Sequence, residues 1–362
     1  DWIIDQAPLT DGGEGFAHIL TQTAQGTLQP VEVLDARLRP TIAQLGWIHL
    51  ENLSSPTRDL LNLPASGKLA IVELAQASGI EALSPQERDL WETSSYGTGQ
   101  LIAHAIQEHA DAILVGLGGS ATNDLGLGAL EALGVCAYDR VLKPVTPLVP
   151  ANWKHINSLG GLVNSAKTLP PLRIATDVTN PLLGNLGATA VYGPQKGLKS
   201  EDFERLERLM RKTADRLLGL FSHNPDDFES RRNQPGSGAA GGTGFGLAAT
   251  FPNSEFVSGN ALIESVLSLK DRAAQADLIL TGEGTFDPTS LQGKGPASLI
   301  PMKRPEAHLH FFSGRVTDTA LAQIQDNPTL HAHPISPIGL PLNDALRQTP
   351  QRLAEAIRQQ FN

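Results

Sequence analysis

The chain has 362 residues, enough for two domains with substantial cores. Its formal net charge is −10 and it carries no basic run, which argues against a nucleic-acid-binding surface. The single cysteine, Cys136, cannot form an intramolecular disulfide. With no Cys-x-x-Cys motif it fits a reducing, cytoplasmic setting, where it reads as a buried small hydrophobe. No apolar run approaches the roughly eighteen residues that a membrane span needs, and no signal-peptide pattern is visible.

In chain order, residues 2–4 form a short apolar run. Thr10-Asp11-Gly12-Gly13-Glu14-Gly15 then leads into an apolar helical stretch. Residues 31–34 and 42–50 read as strands. Residues 69–75 read as a strand with Glu73 inside it, so Glu73 is expected to be paired or to sit at a strand end, because a lone buried charge is costly. A helix is expected over 98–108 and a buried strand over 112–115.

The stretch Gly116-Leu117-Gly118-Gly119-Ser120-Ala121-Thr122-Asn123-Asp124 follows that strand and precedes helical spacing over 125–133. Glycines let the backbone approach a ligand, and the N–H groups at a helix start favour an anion. A helix N-cap with a tight turn explains the same residues equally well.

Residues 139–171, rich in proline, read as mostly loop. An apolar run at 172–175 leads to Thr176-Asp177-Val178-Thr179-Asn180-Pro181-Leu182, and Gly193-Pro194-Gln195-Lys196-Gly197 follows. Residues 201–220 form an amphipathic helix pattern. Residues 224–235 are polar and read as an exposed loop. The glycine-rich segment 236–244 opens another helix-like run, and 262–269 reads as helical. Thr281-Gly282-Glu283-Gly284-Thr285-Phe286-Asp287 reads as a loop capping a strand at 277–280. A strand at 308–312 is expected to end at Ser313-Gly314, and a helix over 352–360 closes the chain.

Strands alternating with helices predict an α/β protein with much parallel sheet. Several loops rich in Gly, Asp, Asn, Glu and Lys predict one site assembled at the ends of several strands. The ten histidines show no His-x-x-His or similar spacing, which gives no support for zinc. A dinucleotide-dependent oxidoreductase is disfavoured by the lack of Gly-x-Gly-x-x-Gly after a first strand.

Taken together these segments resemble the type I glycerate kinases. The resemblance rests on residues 11–15, Val72-Glu73-Leu74-Ala75, Ala77-Ser78-Gly79, Ser95-Tyr96-Gly97-Thr98-Gly99, 118–124, Asp177-Val178 with Asn180-Pro181-Leu182, 192–197, 238–242, Gly282-Glu283-Gly284, Asp287 and Gly293-Lys294, and it spans nearly the whole chain. It implies ATP-dependent phosphorylation of D-glycerate with Mg2+. It also implies two domains: a Rossmann-like parallel-sheet domain from both chain ends (1–35 plus 270–362) and a mixed α/β insert (36–269).

The sequence departs from the family in two places. The family's first strand, with its Pro-Asp-Ser-Phe-Lys-Gly-like motif, has no counterpart after Asp1. If that motif contacts phosphate or substrate, a chain lacking it is expected to be an inactive ligand-binding homologue or a truncated form. Thr285 stands where the family often has Arg.

Phosphoryl transfer requires held phosphates, a cation and a group that orients the attacking hydroxyl. Asp177 and Asp124 are the candidates for magnesium ligand or base, with turn capping as the alternative for each. Lys196 would neutralise phosphate charge, unless it is a solvated surface lysine. Glu283 lies between two glycines and is the fourth catalytic candidate. Substrate or phosphate contacts are expected from Asp11, Gly12, Gly13, Glu14, Gly118, Gly119, Ser120, Thr122, Asn123, Asn180, Gln195, Asp287 and Lys294. Lys294 has a mobile surface loop as its alternative. The expected partners are small molecules, ATP and D-glycerate, with a homodimer left open.

Overall fold

A computed structural model describes residues 2–10, 12–162, 169–291 and 295–361. The expectations at Asp11 and Lys294 lie outside the described residues. The chain divides into two compact units, one comprising Asp1–Ala7 with Leu267–Asn362, the other Pro8–Val266. Residues 8–35, assigned on sequence to the first unit, fall in the second. The reason is strand pairing: residues 27–34 join the large sheet, as described next.

The larger unit holds β1 (Thr27–Leu34), β2 (Pro40–His49), β3 (Lys68–Glu73), β4 (Ala112–Gly116), β5 (Cys136–Tyr138), β6 (Ser158–Gly160), β7 (Leu172–Ala175) and β8 (Ser254–Val257). Six of these form one mixed sheet in the order β1-β2-β3-β4-β7-β8. The β1–β2 and β2–β3 pairs are antiparallel, and the β3–β4, β4–β7 and β7–β8 pairs are parallel. Every residue of β4 and β7 is buried, as expected of parallel strands covered on both faces. β4 is a continuous apolar run, but β7 is not: it carries the buried Arg173, whose guanidinium donates to the Leu61 and Asn62 carbonyls. The helix Tyr96–Gln107 buries Leu101, Ile102 and Ala105, and Phe203–Leu220 buries Leu206, Met210, Ala214 and Leu217, all in one core.

The smaller unit holds β9 (Leu278–Phe286), β10 (His308–Val316) and β11 (Leu330–Pro334) in a parallel sheet ordered β11-β10-β9. Its core gathers Phe286, Leu309, Phe311, Ala320 and Ile324. The protein is thus α/β with two domains, one mixed and one parallel. Among the described residues no helix is long and apolar enough to cross a membrane.

Several local expectations change. Cys136 is exposed, not buried, because β5 is a three-residue strand whose alternation turns Ala137 inward. Residues 224–235 are not a plain loop: Asn224 accepts from the Asp226 N–H and the helix Phe228–Asn233 follows, with Phe228 packed on the core. Within 139–171, Pro150–His155 is a 3-10 helix and β6 is a short strand. Residues 281–286 are not a capping loop but the second half of β9, paired with β10 at Gly282–Phe312 and Glu283–Ser313. There a Cβ on Gly282 would meet the Phe312 carbonyl at 2.2 Å, so glycine serves close strand packing. β10 likewise runs on past Ser313-Gly314 to Val316.

Candidate functional site

Four parallel strands of the mixed sheet end on one edge, at Glu73, Gly116, Ala175 and Val257. The segments that leave them gather there, which is where open α/β sheets place ligands. Loop 117–124 is tied down on three sides. Leu117 N–H donates to the Ala175 carbonyl at 3.1 Å, Gly118 N–H to Gly12 at 2.9 Å and Ala121 N–H to Ser78 at 2.8 Å. A Cβ on Gly118 would lie 2.4 Å from the Gly13 backbone, so only glycine lets the two loops lie together. Glu14 is exposed, with its carboxylate over Gly119.

Glu73 ends β3. Its carboxylate accepts from the N–H groups of Gly15 at 3.1 Å and Ala17 at 3.0 Å, at the start of the helix Phe16–Thr23. Burial raises its pKa, and those backbone bonds oppose the rise. The requirement that it be paired at a strand end is met by the opening of that helix, which favours a negative charge.

Lys196 is buried at the end of the 3-10 turn Pro194–Lys196. Its ammonium donates to Ser120 Oγ at 2.7 Å and to the Thr122 carbonyl at 2.8 Å. Burial pulls its pKa down to about 7, and the negative charge of Asp124 acts in the opposite direction. A solvated surface lysine is therefore ruled out at this position. Beside it, Thr122 Oγ1 and Asn123 Oδ1 are buried without a hydrogen-bond partner. Such orphaned polar groups inside a polar cluster, a hydroxyl that can donate and an amide oxygen that accepts, are what an incoming ligand would satisfy.

Asp124 is fully buried, and both its oxygens are engaged. Oδ2 accepts from Ser95 N–H and Ser95 Oγ, both at 2.7 Å, and from Gly128 N–H at 3.2 Å. Oδ1 accepts from Gly126 N–H at 3.1 Å. Burial raises its pKa against these bonds. The geometry gives it a positioning role and leaves no oxygen turned outward for a metal.

Segment 236–244 backs this loop. Gly241 has φ +65°, its carbonyl accepts from Leu125 N–H at 3.0 Å, and a Cβ there would meet the Thr122 carbonyl at 2.1 Å. Asp177, half-buried just past β7, accepts from Ser258 Oγ at 2.7 Å and Asn260 N–H at 2.9 Å, at the start of the helix Gly259–Val266. Ser258 and Asn260 were not singled out in the sequence; the polar Ser-Gly-Asn turn after β8 was the signal available. Asn180 accepts from Tyr192 Oη at 2.8 Å and donates to the Leu186 carbonyl at 2.8 Å. Gln195 is exposed.

Two candidates belong to the smaller unit. Glu283, on β9, is half-buried with Oε1 unpartnered, and burial raises its pKa, the charge of Asp287 adding to the rise. Asp287 Oδ1 accepts from Thr289 N–H at 2.8 Å and Ser290 N–H at 3.3 Å, which closes a turn after the strand. For a magnesium ion, which takes oxygen ligands, Asp177 fits: it is a half-buried carboxylate with lone pairs beyond its two bonds. Asp124 does not fit, because its oxygens are enclosed.

The model of the glycerate kinase family matches residues 1–362. A glycerate kinase of Haemophilus influenzae is 36% identical over 303 residues, covering 80% of this chain and 70% of that protein. A glycerate 2-kinase of Escherichia coli K12 is 31% identical, covering 91% and 79%. A solved structure assigned as glycerate kinase 2 of Salmonella typhimurium LT2 superposes with a TM-score of 0.67 at 29% identity, over 98% of this chain and 89% of that one.

Proposed function

Since this chain belongs to the glycerate kinase family and is a kinase, we propose that it transfers the γ-phosphoryl group of ATP to a hydroxyl of D-glycerate in the cytoplasm. The observation that carries this reading is the buried Lys196 ammonium held on Ser120 and Thr122 beside two orphaned polar groups.

Loop 118–123 receives the carboxylate of glycerate. Ser120 turns its hydroxyl to the anion, Lys196 offsets the charge, and the unpartnered Thr122 hydroxyl donates. Gly12, Gly13 and Glu14 wall the same loop. Asp124, closed on Ser95 and the following amides, is a positioning residue that fixes the loop, and its charge favours the protonated form of Lys196 against the pull of burial. Asp177 accepts the proton of the attacking hydroxyl or holds magnesium. Bound there, magnesium would spread the negative charge of the phosphates. Asn180 and Gln195 lie on the neighbouring segments as phosphate contacts. In the smaller unit, read as the Rossmann-like domain, Glu283 with its unpartnered oxygen is the remaining polar candidate and Asp287 shapes its turn.

A coupled assay of ATP consumption with D-glycerate and magnesium tests this reading. Turnover that depends on glycerate and collapses in Lys196→Ala supports it. Binding of both substrates without turnover would instead mark an inactive ligand-binding homologue.

A further inference from the structure

The smaller unit carries a side-chain cluster that the kinase reading does not use. β10 contains His308-Leu309-His310, and β11 contains His331-Ala332-His333. Side chains alternate along a strand, so each His-x-His pair shares one face. The parallel register sets His310 beside His331 and Phe312 beside His333, so all four imidazoles stand on the same face of the sheet. Strand ligands recur every second residue, so these two His-x-His pairs do not show the helical His-x-x-His spacing.

The contacts are close. His308 Nδ1 lies 2.9 Å from His331 Nε2, and His310 Nδ1 lies 2.9 Å from His333 Nε2. The rings of His310 and His331 have centroids 4.3 Å apart. One ring nitrogen from each of His308, His310 and His331 falls within 4.8 Å of the others. His308 is exposed and gives entry, while His310 is buried, with the Phe361 ring 5.0 Å from its own. Nitrogen ligands around one tetrahedral zinc sit about 3.3–3.5 Å apart. Drawing the three nitrogens together from 4.8 Å takes side-chain movement of roughly one to one and a half ångströms, which the exposed His308 can supply.

We propose that His308, His310 and His331 form a binding site for a divalent transition-metal cation, with His333 as the positioning residue. Three neutral imidazoles select the class: Zn2+, Co2+, Ni2+ and Cu2+ take nitrogen ligands, whereas Mg2+ takes oxygen. His333 occupies His310 Nδ1 and so presents Nε2 to the metal, the outer-shell arrangement usual for histidine ligands. The His308–His331 hydrogen bond is exchanged for two metal bonds. Each ring contributes a lone pair after a tautomer change, so no net proton is released from neutral rings. The site joins two adjacent strands, and its occupancy therefore stabilises the smaller sheet.

Titration of tag-free protein with Co2+, followed by the visible ligand-field absorption, tests the proposal. One Co2+ per chain is expected, displaced by Zn2+ and untouched by excess Mg2+. His308→Ala and His331→Ala should each weaken binding about a hundredfold or more, and His333→Ala by about ten- to a hundredfold. Cys136→Ser should leave the spectrum unchanged. His308 is exposed, so its variant decides the matter even if His331→Ala disturbs the sheet. No ligand-field band, an affinity unchanged in His308→Ala, or a band lost in Cys136→Ser would overturn the site.

Discussion

Lys196 Nζ donates to Ser120 Oγ at 2.7 Å, joining a buried cation to a hydroxyl 76 residues away in the chain. Neither residue is placed by its own neighbours alone. The 3-10 turn Pro194–Lys196 aims the lysine inward, and Gly118, Gly241 and Ser78 fix the loop that receives it.

The lysine has a pH signature. Burial lowers its folded-state pKa to about 7 from an ordinary value of 10.5. Between these values the unfolded chain binds a proton that the folded chain does not, so this group makes stability rise with pH from about 7 to about 10.5. Below about 7 both states are protonated and the burial cost is constant. Lys196→Met should remove this rise, whose limiting slope is about 1.4 kcal/mol per pH unit. Urea unfolding of both proteins at several pH values between neutrality and pH 10 measures the difference. Equal slopes would mean that Lys196 keeps its charge when folded.

Ser120→Ala should raise the Michaelis constant for glycerate roughly tenfold or more, from a lost charge-assisted bond worth about 1.5–3 kcal/mol, and leave the ATP constant nearly unchanged. Steady-state kinetics with each substrate varied in turn gives both constants. A rise confined to ATP would assign loop 118–123 to the nucleotide.

Asp177→Asn separates charge from capping. Asn keeps one carbonyl oxygen for the Asn260 N–H, and its amide N–H can donate to the Ser258 hydroxyl, which reverses its role, so thermal stability should change by only about 1 kcal/mol. Turnover should still fall on the order of a hundredfold, because the carboxylate charge is gone. Near-normal turnover at saturating glycerate and magnesium would remove Asp177 from the chemistry.

Asp124→Asn should behave in the opposite way. Four donors converge on the two oxygens of this carboxylate, and an amide turns its own N–H groups toward one set of them. A destabilisation of about 3 kcal/mol is expected by denaturant unfolding. The lysine also loses the negative charge that supports its protonation, so the pH-dependent rise in stability should begin at lower pH. An unchanged unfolding midpoint would show that these bonds contribute little.

The sequence by itself determined the class of the fold and the main elements. The buried parallel strand β4 is a continuous apolar run, and the helix Phe203–Leu220 shows its buried face in every turn, because local periodicity records which faces meet the core. It also marked Lys196, Ser120, Asp124 and Asp177 as polar residues near strand ends, together with the family they resemble. Only the tertiary structure decided which were cations in contact, which were caps and which were enclosed. Asp124 and Asp177 look alike as strand-end aspartates, yet one is shut inside a ring of donors and the other is half-buried over a helix start. Strand register decided the rest. It carried β9 through Gly282-Glu283-Gly284, turned Cys136 outward and set two separate His-x-His pairs side by side. Pairing of this kind joins residues far apart in the chain, and no local pattern along one strand records which partner lies beside it.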